Sequence, residues 1–162
     1  MPRITFPTAL GVCALSWGDA GLSGFELPDA PVRADDQAQP PGEIAALIYR
    51  VQQHLTGTLQ DFSDARYDFS RVADFPREVY RATLAVKAGH TTSYGTLASV
   101  LGQTPAVSRA VGSALGANPW PLLIPCHRIV AADGKMTGFS GPGGIKTKLR
   151  LLALEGAELF AE

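Results

Sequence analysis

An α/β unit followed by a helix-turn-helix unit is the architecture this sequence predicts, and three observations carry it. Apolar residues alternate loosely along the first 27 positions and are broken by turn residues, which is strand patterning. From Glu43 the apolar residues recur at helical spacing. Between Ser93 and Leu115 two short helical stretches flank a glycine-containing turn, the layout of a helix-turn-helix.

Taken in order, Ile4 and Phe6, then Val12, Ala14 and Leu15, then Leu22, Phe25 and Leu27 surround Gly18-Asp19-Ala20-Gly21. They predict two strands joined by a tight turn, with Cys13 and Trp17 as packing residues. Pro28 to Gly42 has no apolar period and reads as an exposed loop. Ile44, Leu47, Ile48, Val51 and Leu55 predict a helix that Gly57 can end. Leu59 to Phe69 suits a third strand with turns. Residues 1–73 thus form a small α/β unit without a catalytic constellation of its own.

Residues 74–162 form the second unit. Asp74 can cap a helix that tolerates Pro76 in its first turn, where a missing N–H does no harm, and Phe75, Val79 and Leu84 give it an apolar stripe. Ser93 caps the next helix, with Tyr94, Leu97, Ala98 and Leu101 on one face and Gly102 at its end. Thr104-Pro105 opens the helix over Ala106 to Leu115, with Val107, Ala110, Val111 and Ala114 facing inward. Its outer face holds Ser108, Arg109, Gly112 and Ser113, all small but one. Such a face lets a helix press against a partner while one cation reaches further; a plain helix with one solvated arginine is the other reading. Asn118-Pro119-Trp120-Pro121 makes a stiff turn, tied by the Asn118 amide, that aims the chain into a strand over Leu122–Pro125. Asp133-Gly134 supplies another turn, and a glycine-rich loop with Phe139 and Ser140 precedes a helix from Ile145 to Leu154. Ile145, Leu149 and Leu152 share one face of that helix, and Glu155 continues it. A carboxylate there either frays into water or has a partner, and His127 is the candidate donor.

Charge divides close to the same boundary. Residues 1–80 carry 6 Lys/Arg against 11 Asp/Glu, a net -5, whereas residues 81–162 carry 8 against 4, a net +4. Only the C-terminal half is suited to a polyanion. Two cysteines make no disulfide framework, and three histidines show no metal-ligand spacing. The apolar run Ala9 to Leu15 is too short and too strand-like for a signal peptide, and no stretch is long enough to span a membrane. A reduced, metal-free cytoplasmic protein is expected.

Chemistry concentrates at Ile124-Pro125-Cys126-His127-Arg128, where a thiol stands between a proline and an imidazole. A thiolate is a strong nucleophile, and a neighbouring imidazole helps a thiol ionise. In isolation such a cysteine is more often a small, inert core residue.

The wider company of this pentapeptide resembles one family. Ser93-Tyr94-Gly95-x-Leu97-Ala98, Ser108-Arg109-Ala110-Val111-Gly112, Asn118-Pro119, the Pro-Cys-His-Arg element, Gly138-Phe139-Ser140-Gly141 and Leu151-Leu152-x-x-Glu155-Gly156 follow the order and spacing of the O6-alkylguanine-DNA alkyltransferases. The likeness is strong over about residues 75–156 and holds only in outline before them. It implies a ribonuclease-H-like N-terminal domain and a winged helix-turn-helix C-terminal domain. It also implies direct repair, in which an alkyl group moves irreversibly and stoichiometrically from O6-methylguanine, and from O4-methylthymine, to a cysteine without metal or organic cofactor. The damaged base is rotated out of the duplex, since the alkylated atom is out of reach within the stack.

By position, the resemblance makes Cys126 the nucleophile and joins it through water to His127 and Glu155 as a relay. Asn118 supports the loop and Tyr94 protonates the leaving base. Arg109 fills the space the base vacates. Ser93, Ser108, Gly112, Ser113 and Arg128 fall on the DNA side, with Phe139 in the pocket wall and Ser140 at the base edge. The implied partner is double-stranded DNA, met by a monomer away from membranes. Tyr80, Lys87-Ala88-Gly89, Phe139 and Gly141-Pro142-Gly143-Gly144 depart from frequent family patterns but remove no role-bearing residue. Two rivals remain. A lesion-binding protein that does not transfer leaves the thiol unmodified, and a related branch of this kind carries tryptophan at the cysteine position. A Cys-His hydrolase would turn over and ignore DNA, but adjacent Cys126 and His127 diverge in an extended chain.

Overall fold

Thr8 closes the first turn of the chain. Its hydroxyl accepts the Leu10 N–H at 3.2 Å and donates to the Gly11 carbonyl at 2.6 Å. The turn separates strand β1 (Arg3–Thr8) from β2 (Gly11–Gly18), and a second turn leads to β3 (Gly21–Glu26). The sheet is an antiparallel meander in the order β1-β2-β3. Three strands therefore occupy the region where two are expected from sequence. The apolar Ala9 and Leu10 disguise the first turn, which is made by the Thr8 hydroxyl. The computed structural model describes residues 2–28, 38–131 and 144–157.

Helix α1 (Gly42–Leu55) lays Ile44, Leu47, Val51, His54 and Leu55 against the core and ends where Gly57 takes a φ of 101°. No third strand forms over 59–69; that segment meets β3 at a single bridge, Leu22 with Tyr67. Asp61 and Asp68 accept the N–H groups of Ser63 and Ser70 at 2.9 and 3.0 Å, so local Asx turns compete with a ladder.

Helix α2 (Asp74–Thr83) is capped at Ala73, not by Asp74, which lies in its first turn without a side-chain cap bond. Strand β4 (Thr92–Ser93) leads directly into α3 (Tyr94–Val100). Ser93 caps that helix as its sequence predicts, accepting the Thr96 N–H at 3.0 Å. A 3-10 turn over Pro105–Val107 precedes α4 (Ser108–Gly116), which buries Val111, Ala114 and Leu115. Ala110, expected inside, is exposed. The two helices pack together as a helix-turn-helix pair.

The strand expected over Leu122–Pro125 is instead a pair of tight turns. The Ile124 N–H reaches the Trp120 carbonyl at 2.9 Å, and the Cys126 N–H reaches Ile124 at 2.7 Å across Pro125. Prolines 119, 121 and 125 donate nothing to a ladder, and Leu122 takes a φ of 79°. A 3-10 turn (Cys126–Arg128), β5 (Ile129–Val130) and α5 (Ile145–Leu154) complete the described elements. The loop containing Asp133-Gly134, Phe139 and Ser140 lies outside the described residues. One buried apolar cluster runs from Phe6 and Leu15 through Leu97 and Trp120 to Leu151. No helix among the described residues is long and apolar enough to cross a membrane.

Gly21 and Gly57 both sit at positive φ, but only Gly21 is crowded: a Cβ there would lie 2.3 Å from the Arg66 carbonyl oxygen, whereas Gly57 faces open space. Gly21→Ala is expected to destabilise the protein by about 2–4 kcal/mol and Gly57→Ala by about 1 kcal/mol. Urea unfolding tests this through the order of the two midpoints; equal midpoints would show that the Arg66 contact yields freely.

Candidate active site

The reactive segment is held between two short strands. β4 pairs in parallel with β5, Thr92 beside Ile129 and Ser93 beside Val130. Tyr94 follows β4 and Cys126 stands three residues before β5, so this small ladder joins the start of α3 to the cysteine turn. Asn118 fixes the other flank. Its Nδ2 donates to the Ile124 carbonyl at 2.8 Å, and its Oδ1 accepts the Trp120 N–H at 2.9 Å. The N-terminal sheet holds the same flank, with the Phe25 N–H on the Pro119 carbonyl at 2.9 Å and the Trp120 indole N–H on Leu22 at 3.0 Å.

Cys126 is buried. Burial pushes its thiol up, while the Asn118 side chain and the Lys148 charge pull it down. Beside it, the wholly buried His127 points Nε2 at Glu155 Oε2, 2.9 Å away. An ionised carboxylate only accepts, so Nε2 carries the proton and Nδ1 is left with a lone pair. Among the described residues Nδ1 has no hydrogen-bond partner. Burial pulls the His127 imidazolium down and Glu155 pushes it back up.

Glu155 is 3% exposed. Burial alone would raise its carboxyl, but bonds from Arg128, His127 and His54 outweigh this and hold it well below the usual carboxylate range. Arg128 donates from Nε to Oε1 and from Nη2 to Oε2, both at 2.8 Å, and from Nη1 to the Val86 carbonyl at 2.7 Å. Arg128, expected on the DNA side, is therefore turned inward: its guanidinium is committed to a buried carboxylate and a carbonyl.

Two buried groups escaped the sequence reading. Lys148 is 1% exposed; its Nζ donates to the Ile129 carbonyl at 2.8 Å and lies 6.0 Å from the Tyr94 ring centre. Leu149, assigned inward from sequence, is exposed, because α5 is rotated so that Lys148, Leu151, Leu152 and Glu155 form the buried stripe. Their i, i+3, i+4, i+7 spacing was visible, but charges at both ends hid it. His54 continues the stripe of Leu47 and Val51 on α1, and its Nε2 meets Glu155 Oε2 at 2.9 Å.

On α4, Arg109 and Ser113 are exposed, and Ser108 and Gly112 are half-buried. A Cβ on Gly112 would just touch the Tyr94 ring, at 3.9 Å. The half-buried Tyr94 thus lies between α4 and Lys148. The Ser93 hydroxyl is engaged in capping α3. The other thiol, Cys13, packs in the sheet, where burial pushes it up to about 11 against a contact with Thr8.

The family model for the DNA-binding domain of 6-O-methylguanine DNA methyltransferase matches residues 74–157. A methylated-DNA–protein-cysteine methyltransferase of Methanothermobacter thermautotrophicus is 34% identical over 143 residues, 88% of this chain and 78% of that protein. A DNA base-flipping protein of Thermus thermophilus is 36% identical over 152 residues, 93% of this chain and 97% of that one. A crystal structure of Mycobacterium tuberculosis OGT in complex with DNA shares the α/β fold, with a TM-score of 0.81 and 33% identity over 96% of this chain and 93% of that chain.

Two outcomes follow from the buried charges. Removing the Lys148 cation withdraws stabilisation from the thiolate, so Lys148→Met shifts iodoacetamide capture of Cys126 to higher pH than in the parent protein; an unmoved profile would show that the ammonium does not reach the sulfur. Glu155→Gln leaves Arg128 buried and unpaired, and is expected to cost about 3–5 kcal/mol in chemical unfolding at neutral pH. Because the folded carboxyl is depressed, its contribution is complete above the ordinary value of 4.5 and declines below it. The gap between parent and variant should hold above about pH 5 and narrow progressively as the pH falls below it, and a gap that stays constant down to about pH 3 contradicts the assignment.

Proposed function

The chain belongs to the methylated-DNA–protein-cysteine methyltransferase family, and from that premise we propose how its residues carry the reaction. The protein repairs DNA directly, moving the alkyl group of O6-methylguanine onto a cysteine of its own, with the damaged base flipped out of the duplex. Cys126 is that cysteine. One arrangement carries this reading: a buried thiol follows a proline turn, and the adjacent imidazole is fixed by a buried carboxylate at 2.9 Å.

The thiol proton passes through a bridging water to His127 Nδ1, and Glu155 stabilises the imidazolium that results. Lys148 favours the thiolate in a site where burial opposes it. The sulfur attacks the alkyl carbon opposite O6. An S–C bond forms as the C–O6 bond breaks, and the electron pair passes to the guanine ring. Tyr94 delivers its phenolic proton to the departing base, because neutral guanine leaves more easily than its anion. The product is a thioether, so each molecule acts once. O4-methylthymine offers the same alkyl group on an exocyclic oxygen and is a second substrate.

Helix α4 serves as the recognition helix in the minor groove, with Arg109 taking the vacated place of the base and Ser108, Gly112 and Ser113 against the strand. The exposure of Arg109 and the small outer face of α4 support this. Residues 1–73 are a ribonuclease-H-like domain, supported by the three-stranded meander and α1. Residues 74–162 are a winged helix-turn-helix domain, supported by the α3–α4 pair. The site calls for a reduced thiol, as in a cytoplasmic protein.

Intact and peptide mass spectrometry after mixing with an O6-methylguanine duplex tests the reading. The peptide bearing Cys126 should gain the mass of one CH2 group, and Cys126→Ser should gain nothing. Tight duplex binding with an unmodified Cys126 would instead mark a lesion-binding protein.

A further inference from the structure

His54 lies on α1, in the N-terminal half, yet its side chain is wholly buried against the carboxylate that orients His127. Its tautomer is set by geometry. The backbone N–H of Gln60 donates to His54 Nδ1 at 3.0 Å, and a backbone N–H can only donate. Nδ1 is therefore the bare nitrogen, and Nε2 carries the proton that points at Glu155 Oε2, 2.9 Å away. The Phe62 ring packs against the imidazole with 5.4 Å between centres and fixes its plane.

Three N–H groups converge on the same oxygen: His54 Nε2, His127 Nε2 and Arg128 Nη2. Among the described residues Arg128 alone holds Oε1. Arg128 follows His127 in the cysteine turn, so both of those donors move with the turn. Among the described residues His54 is the one donor at this carboxylate supplied by a different element, 101 residues away in sequence. It anchors Oε2 against the N-terminal half whatever the turn does. The anchored oxygen in turn keeps the His127 proton on Nε2 and leaves Nδ1 as acceptor.

We infer that His54 is a positioning residue for alkyl transfer: with its tautomer locked by the Gln60 N–H, it holds Glu155 Oε2 where that oxygen orients His127. The inference rests on the relay of Cys126, His127 and Glu155 proposed above. The groups that bear on His127 are Glu155 from the end of α5, His54 from α1, its neighbour Arg128, and the Cys126–Lys148 pair beyond. Losing the His54 donor leaves Oε2 a stronger acceptor toward His127, so the imidazole takes up a proton at higher pH.

Single-turnover transfer from an O6-methylguanine duplex, measured across pH on the fraction competent to bind DNA, tests the inference. His54→Leu should slow transfer roughly tenfold, the scale found when a supporting hydrogen bond behind a reactive group is lost, and should move the acid limb to higher pH. His54→Gln, whose amide nitrogen can stand near the original Nε2, should keep most of the rate and the parental pH profile. Should His54→Leu fail to fold, His54→Asn replaces it, because its shorter amide cannot reach Glu155 and the same loss is expected. A parental rate and acid limb in folded His54→Leu, or equal loss in His54→Gln and His54→Asn, overturns the inference. Glu155→Gln run alongside separates the two claims: if it transfers at the parental rate, the relay itself fails; if it is slow while His54→Leu is not, only the role of His54 fails.

Discussion

A carboxylate buried inside a 162-residue protein is the constraint around which the functional half is built. An ionised carboxylate removed from water is costly unless donors replace its hydration, and a protein of this size has few to spare. Here the donors are Arg128, His127 and His54, which together make four N–H bonds to Glu155. Each donor is itself costly to bury and is satisfied by the same carboxylate. The group therefore hangs on the carboxylate: omitting Glu155 strands all three donors, whereas omitting one histidine leaves the other bonds in place. Such networks specify one arrangement more strongly than apolar packing does, and the His127 orientation that the proposed proton transfer requires comes with it.

Two of the contacts between the halves end at the cysteine turn. One is the edge of β3, which binds the Pro119 carbonyl and the Trp120 indole. The other is His54 on Glu155. The acidic N-terminal half thus contributes no group to the DNA face in the proposed scheme, yet it holds the turn from both sides. The ladder between β4 and β5 adds a third hold within the basic half, and Tyr94, which follows β4, lies near Lys148.

The grouping of Asn118 with the Cys126 turn and of His127 with Glu155 was legible in the sequence because these residues lie in motifs with fixed spacing. The helices over Gly42–Leu55, Tyr94–Val100 and Ser108–Gly116 were legible because their apolar periods were clean. What stayed hidden were places where a polar group does an apolar residue's work. Lys148 occupies a core position on α5, and His54 does so on α1, so a reading based on hydrophobicity passes over both. Arg128 misled for the converse reason: a cation next to a DNA-facing motif suggests phosphate, but only the fold shows the carboxylate beneath it. The missed turn at Ala9-Leu10 depends on one threonine hydroxyl, and the absent strand near Leu122 on three prolines whose joint effect is geometric.

The sequence separation of these contacts bears on how the protein comes into being. Trp120 meets Leu22 across 98 residues and Glu155 meets His54 across 101, so the loops that must close are long. Contacts of this range form late, after local helices and the hairpins of the meander. Helix α5 brings both Lys148 and Glu155, and it leaves the ribosome after every group those two must meet. Until it docks, His127 has no carboxylate to fix it and the thiol has no ammonium beside it. A nascent chain accordingly carries an ordinary, unassisted cysteine, and the protein's single-use reactivity is withheld until folding is complete.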